Sequence, residues 1–115
     1  MHLEVSEREG NIARVTLVGR LDTSGVDRVE SRFNAAVVAA KRDSVVDLSG
    51  VDFVASMGLR MFIAAARAAK LTAHTLVLFA PQPRVKEVLD QVSLGEIIPI
   101  VETEAEALSL LRRVP

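Results

Sequence analysis

The chain has 115 residues, and its 14 Lys and Arg nearly balance 15 Asp and Glu, for a formal net charge of −1 at pH 7. This length fits one domain, and we expect residues 1–115 to form it. The charge balance provides no basic field for a nucleic-acid backbone, and the only aromatic residues are four Phe, so direct nucleic-acid binding is not expected. Because Cys is absent, disulfides and thiolate metal sites are excluded.

Apolar runs in the sequence are short. The longest, residues 35–40 and 61–66, are six residues each, whereas a membrane-spanning helix needs roughly 20. The first ten residues contain four charged side chains and no apolar segment of the kind found in secretory signals. We therefore expect a cytoplasmic protein that does not insert into a membrane.

Hydrophobic periodicity divides the chain into strands and helices. Strand segments alternate apolar and polar residues or are continuously apolar, whereas helical segments repeat apolar residues every three or four positions. In chain order the patterns predict strands at 3–7 and 12–18, a helix from Ser24 to about Ala40, a strand at 44–48, a helix from Ser56 to about Leu71, a strand at 74–79, a helix at 82–92, a strand at 97–101 and a helix from Thr103 to about Arg112-Arg113.

Turn and capping residues set the boundaries of these elements. Ser24 with Asp27 has the spacing of a capping box, as does Thr103 with Glu106. The Ser49-Gly50 pair indicates a turn directly after the third strand.

The order of the elements predicts the class of fold. Helices alternate with strands after an N-terminal hairpin, giving the order ββαβαβαβα, and Pro99 makes the last strand either an edge strand or an irregular one. We therefore expect an α/β fold with a mixed, largely parallel sheet flanked by helices.

The second predicted helix has two apolar stripes. The stripe expected to face the core contains Leu59, Phe62, Ile63 and Ala66. The other contains Met57, Met61, Ala64 or Ala65, and Ala68. This second stripe fits either a helix buried on two sides or an adaptable surface for a partner protein.

Few residues offer catalytic or metal-binding chemistry. The only His residues are His2 and His74, and neither has a second ligand four residues later. Both common Gly-rich nucleotide-binding loops are absent. Three carboxylates, those of Asp22, Asp47 and Asp52, lie near strand ends, where α/β folds place ligand sites, so a small enzyme that uses them is one alternative. We expect no catalytic residue, metal site or cofactor.

Residues 45–59, VVDLSGVDFVASMGL, lead from a buried strand into a helix whose start carries a single hydroxyl residue, Ser56. This segment resembles the signature of STAS domains of the anti-sigma factor antagonist type, roughly D-L-S-x-V-x-F-x-D-S-S/T-G-L between a strand and a helix. Residues 19–22, GRLD, resemble the family's G-x-L-D after the second strand. Two positions depart from the pattern, because the family's Asp is Ala55 here and its second hydroxyl residue is Met57.

The resemblance implies a regulator in a partner-switching pathway and not an enzyme. In that family an anti-sigma factor, itself a serine kinase, phosphorylates the serine that follows the signature aspartate, and by position this is Ser56. The unphosphorylated protein would bind the kinase, phosphorylation would release it, and a separate phosphatase would reset the cycle. The residues expected to contact the partner are Asp22, Met57, Gly58, Leu59, Arg60 and Met61.

The position of Ser56 at the start of a predicted helix suits a phosphate group. A helix N-terminus offers free N–H groups and the positive end of the helix dipole, and Arg60 lies four residues later on the same face. The plain alternative is that Ser56 only caps the helix. A rival function is that of a stand-alone STAS subunit in a lipid-transporting ATP-binding cassette complex, which needs no phosphorylation and which the changes at Ala55 and Met57 favour somewhat.

Overall fold

The computed structural model describes residues 1–112. Its elements are β1 (His2–Arg8), β2 (Ile12–Leu21), α1 (Thr23–Asn34), β3 (Ser44–Val54), α2 (Ser56–Leu71), β4 (Leu76–Phe79), α3 (Pro83–Gln91), β5 (Ile100–Val101) and α4 (Glu104–Arg112). A π-helical segment, Ala35–Ala39, continues α1, and a 3-10 turn, Leu94–Glu96, follows α3. The predicted order of strands and main helices is confirmed, while the predicted end of the last helix at Arg113 lies outside the described residues.

The strands form one five-stranded sheet in the order β1-β2-β3-β4-β5. β1 runs antiparallel to β2, and the other three pairs are parallel, as the alternation of strands and helices predicted. β5 is an edge strand of only two residues and follows Pro99 directly, which confirms its edge position and shortens the predicted segment.

The two faces of the sheet are covered unequally. On one face, α1, α2 and α3 contribute to a large core in which Phe33 of α1 meets Phe62 of α2 edge to face, with ring centroids 5.8 Å apart. On the other face, the buried residues of α4, Ala107 and Leu111, cover a smaller cluster. We call these the inner and the outer face.

The third strand is longer than predicted, and the predicted turn at Ser49-Gly50 is wrong. β3 continues to Val54 because its second half pairs with residues 18–21 of β2, with one shift of register before this segment and one between Gly19 and Arg20. Gly50 permits this pairing by close approach, since a Cβ atom there would lie 2.9 Å from Cγ2 of Val18.

The start of α1 also differs from the prediction. The N-cap is Asp22 and not Ser24, because the Gly25 N–H donates to Oδ1 of Asp22 at 2.8 Å. At α4 the predicted cap is confirmed, as the Glu106 N–H donates to the Thr103 hydroxyl at 3.1 Å.

The buried face of α2 is rotated relative to the prediction. Its buried residues are Gly58, Met61, Phe62, Ala65 and Ala69. Of the predicted core stripe only Phe62 is fully buried, while Leu59, Ile63 and Ala66 are partly exposed. Met61 is 2% exposed and belongs to the core. The second predicted stripe, which contains Met57 and Met61, is therefore largely an internal surface.

Candidate functional site

β2 and β3 end side by side, and each leads into a helix. Leu21 pairs with Val54, and the Ala55 N–H donates to the Leu21 carbonyl at 3.0 Å. Asp22 follows Leu21 directly and Ser56 follows Val54 after one residue, Ala55, so the parallel pairing brings them to the same edge of the sheet. The two motifs found in the sequence therefore form one surface, which we call the switch edge.

Two glycines allow both helices to begin close to the end of β2. A Cβ atom on Gly25 would lie 2.2 Å from the carbonyl oxygen of Arg20, and one on Gly58 would lie 2.8 Å from Cδ2 of Leu21. Both glycines are buried, so Gly58 serves packing and does not face a partner. This corrects the expectation that Gly58 belongs to the contact surface.

Asp22 is a charged group fixed in place at the switch edge. The backbone N–H of Gly25 holds its pKa below the usual value, against a smaller opposing effect of desolvation, and the charge of Arg20 acts in the same direction. Nε of Arg20 lies 3.7 Å from Oδ2 of Asp22. The carboxylate is therefore ionised at neutral pH, with one oxygen engaged in the helix cap.

Arg20 and Phe53 form an exposed pair that pattern reasoning missed. The guanidinium carbon of Arg20 lies 4.2 Å from the ring centroid of Phe53, and the two residues are register partners on β2 and β3. The sequence shows Arg20 two residues before Asp22, and Phe53 in a segment predicted to be a loop. Their contact depends on a strand register that the sequence does not show.

Ser56 is exposed and is the first residue of α2. The N-cap is Ala55, in an extended conformation, and no side chain caps the helix. The interpretation of Ser56 as a plain N-cap is therefore wrong. Its hydroxyl lies at the first helical position, where the backbone N–H groups and the helix dipole favour an anion.

The remaining expected contact residues differ in exposure. Arg60 is exposed, and Met57 and Leu59 are partly exposed, so all three can contribute to a surface. Met61 cannot do so without repacking, because it is part of the inner core. The accessible members of the predicted contact set are thus Asp22, Met57, Leu59 and Arg60, and they lie beside the predicted phosphorylation site, Ser56.

Asp47, the first residue of the signature, has a structural role. Its Oδ1 accepts the Ser49 N–H at 2.9 Å and its Oδ2 accepts from Arg14 at 3.0 Å. Burial alone would raise the pKa of Asp47, but these hydrogen bonds outweigh it and the pKa is lowered. The Asp47 carboxylate is thus an ionised structural partner of Arg14.

The three carboxylates considered for catalysis do not form one site. Asp47 pairs with Thr16, which lies six residues before Asp22 in the chain. Six residues of strand span about 20 Å, so Asp47 and Asp22 do not share a site. Asp52 is exposed on the second half of β3. Within residues 1–112 no group of three or more His, Asp or Glu is placed to hold a metal ion, and no helix is both long and apolar enough to span a membrane.

Comparison with known proteins identifies the family. The model of the STAS domain matches residues 3–107. The chain belongs to the STAS domain family. This STAS domain is 28% identical over 100 residues to BtrV of Bordetella bronchiseptica, covering 86% of each chain. It is 26% identical over 113 residues to the anti-sigma F factor antagonist of Lysinibacillus sphaericus, covering 97% of this chain and 94% of the relative.

Solved structures share the fold of this STAS domain. The anti-sigma factor antagonist SpoIIAA in its unphosphorylated form superposes with a TM-score of 0.78 at 20% identity, over 99% of both chains. The phosphorylated form of Bacillus SpoIIAA gives a TM-score of 0.71 at 19% identity, over 96% of this chain and all of that one. The predicted fold class and the resemblance stated from the two motifs are both confirmed.

Proposed function

We propose that this STAS domain is an anti-sigma factor antagonist that binds an anti-sigma serine kinase through the switch edge until Ser56 is phosphorylated. One observation carries the proposal. Ser56 is an exposed hydroxyl residue at the first position of a helix that no side chain caps. The names of the relatives and the phosphorylated form of SpoIIAA support the same assignment.

A phosphate on Ser56 would be tolerated by the folded domain. It would meet the free N–H groups and the positive end of the α2 dipole, and Arg60 is exposed four residues later. A docked partner would instead meet about 1.5 to 2 additional negative charges in a desolvated contact. The modification therefore weakens binding without unfolding the protein.

The change from the family's Asp to Ala55 is compatible with this switch. An Asp at this N-cap would place a carboxylate at the start of α2, where it would compete with a phosphate for the same N–H groups. Ala55 has no side-chain acceptor for those groups, although the Gly58 N–H donates to the Ala55 carbonyl oxygen at 2.9 Å. The fixed carboxylate of Asp22 remains at the same edge to contact the partner.

The proposed cycle takes its chemistry from the partners. The kinase binds ATP and transfers its γ-phosphoryl group to the Ser56 hydroxyl, releasing ADP, and a separate phosphatase hydrolyses the phosphoserine to serine and inorganic phosphate. This STAS domain acts only by binding and needs no cofactor of its own. We place it in the cytoplasm, with the anti-sigma factor it would bind.

The rival function is that of a STAS subunit in a lipid-transporting ATP-binding cassette complex. The specific observations in its favour are Ala55 and Met57, which replace two residues of the family's phosphorylation pattern. That subunit would bind an ATPase with or without a hydroxyl at position 56, so Ser56→Ala would leave its assembly unchanged.

The test is phosphorylation by each candidate anti-sigma kinase of the source organism. The purified protein is incubated with ATP and each kinase, and the product is analysed by intact mass and peptide mapping. We expect a single phosphate on Ser56, absent in Ser56→Ala and retained in Ser49→Ala, which removes an exposed serine of the same motif. The phosphorylated form should bind the kinase about a hundredfold more weakly, a cost of about 3 kcal/mol.

The other outcomes separate the alternatives. Stable binding to a kinase without phosphate transfer would show an antagonist that is not switched at Ser56. Neither binding nor phosphate with any kinase would overturn the proposal and leave the transport subunit as the better explanation.

A further inference from the structure

The α2 helix has an unusual distribution of charge. It carries three cations, Arg60, Arg67 and Lys70, and no Asp or Glu. All three are exposed, and none forms an ion pair with another residue of the part of the chain that the structure describes. This contrasts with the sheet, where Arg8, Arg14 and Arg20 all have carboxylate partners. The cations of α2 are therefore free to meet charges from outside.

These cations share one line of the helix surface with the switch serine. The line, which we call the α2 stripe, consists of Ser56, Arg60, Ile63, Arg67 and Lys70. Its spacing of four, three, four and three residues places the members one above the other on one face. From first to last the stripe is about 21 Å long, at ~1.5 Å per residue. A partner helix of ordinary length can follow it from end to end.

A partly apolar cavity lies at the far end of the α2 stripe. It has a volume of about 300 Å³ and is lined by Ala66, Arg67, Lys70, Glu96 and Ile97. Ile97 is 45% exposed, so an apolar side chain entering the cavity would cover it. Cations thus border a small socket whose apolar lining residues are Ala66 and Ile97, and Glu96 is the only carboxylate that lines it.

We propose that the α2 stripe and this socket dock an acidic amphipathic segment of the anti-sigma factor. Carboxylates of the segment would face Arg60, Arg67 and Lys70, and one apolar side chain would enter the socket beside Ile97. The argument is charge complementarity, because a helix face with three cations and no acid attracts a negative partner and repels a positive one. This inference rests on the proposed function and adds the chemistry of the partner surface.

The same surface explains how one modification acts over a long contact. Phosphorylated Ser56 would add about 1.5 to 2 negative charges at the start of the stripe. Those charges would repel the acidic segment and compete for Arg60. Release then follows from the chemistry of the stripe and needs no change of fold.

The test is the affinity of charge variants for the anti-sigma factor that binds the wild type. Arg67→Glu is compared with Arg84→Glu, an exposed arginine of α3 that likewise has no ion pair within residues 1–112. Titration calorimetry should show that Arg67→Glu binds about fivefold to tenfold more weakly and that Arg84→Glu binds like the wild type. The difference should shrink between about 0.1 M and 1 M NaCl, because salt screens exposed charges.

Two further variants test the sign of the charge and the socket. Glu96→Gln removes the one carboxylate of the cavity, so an acidic partner should bind it more tightly than the wild type. Ile97→Ser should weaken binding at both salt concentrations, since its contribution is apolar. Circular dichroism of each variant checks that the fold is retained.

The outcomes separate this inference from the function on which it rests. Equal affinities of Arg67→Glu and Arg84→Glu would overturn docking on the α2 stripe while leaving the antagonist function intact. Weaker binding of Glu96→Gln would contradict an acidic partner. Failure of the wild type to bind any anti-sigma factor would overturn both proposals together.

Discussion

Gly25 allows α1 to begin close to the end of β2, because it has a hydrogen atom where other residues have a Cβ atom. The first turn of α1 approaches the end of β2 so closely that a Cβ atom would lie 2.2 Å from the Arg20 carbonyl oxygen. The same residue donates its N–H to Asp22. The position of the fixed carboxylate therefore depends on the absence of a side chain three residues later.

We predict that Gly25→Ala destabilises the protein by about 1–3 kcal/mol, because the backbone must shift to relieve the contact. This cost outweighs the ~1 kcal/mol by which Ala favours a helix over Gly. Urea unfolding measures the change. Gly95→Ala is the matched control, since a Cβ atom there has no neighbour within 4 Å, and it should be near neutral. Equal stability of the two variants would contradict the close approach.

At the scale of the element, α2 begins without a side-chain cap. Ala55 occupies the N-cap with an extended backbone, a conformation that suits Asp, Asn, Ser or Thr. Helix stability is therefore supplied by the buried face and by the alanine-rich second half. No side chain occupies the backbone N–H groups at the position of Ser56.

We predict that Ala55→Asp stabilises the protein by about 0.5–2 kcal/mol, because its carboxylate can accept a backbone N–H of the first turn and interact with the helix dipole. Thermal unfolding measures the gain. Ala64→Asp places the same side chain at an exposed position inside the helix and should be slightly destabilising. A loss of stability in Ala55→Asp would show that the N-terminus of α2 is already satisfied.

At the scale of the whole molecule, the outer face of the sheet depends on α4 and its ionic contacts. Oε1 of Glu104 accepts from Arg14 at 3.0 Å and Oε2 accepts from Arg8 at 2.6 Å. Burial alone would raise the pKa of Glu104, but the hydrogen bonds from Arg8 and Arg14 outweigh it and the pKa is lowered. The folded state therefore favours the ionised form of this carboxyl group.

The sign of the pH dependence follows from the lowered pKa. The stabilisation is complete above the pKa of the unfolded chain, about 4, and is lost as the pH falls through the lower folded value. We predict that α4 loses hydrogen-exchange protection in acid before β3 and β4 do. Glu104→Gln should lower the protection of α4 at neutral pH by about 1–2 kcal/mol and flatten the acid limb of the stability curve.

Glu102→Gln is the control for this prediction. Glu102 is exposed and forms no ion pair with the residues that the structure describes. Its replacement should therefore change neither the hydrogen-exchange protection of α4 nor the acid limb of the stability curve. Loss of protection in all elements at the same pH would contradict an independent role of the α4 contacts.

The sequence by itself determined the order of the elements, the class of fold and the place of the STAS signature. These features depend on local periodicity and on residues close together in the chain, as in the start of α2 at Ser56 and the cap of α4 at Thr103. The family motifs at 19–22 and 47–59 likewise lie within short segments. Such signals need no knowledge of distant contacts.

Only the tertiary structure decided how these parts meet. The second half of β3 is a strand because β2 pairs with it. Asp22 is the cap of α1 because Gly25 can lie against the Arg20 carbonyl group. Met61 is buried because the orientation of α2 places it in the core. The cation of Arg20 over Phe53 and the socket beside Ile97 also join residues far apart in sequence. Strand register and helix rotation are set by packing between distant segments, and local patterns do not contain that information.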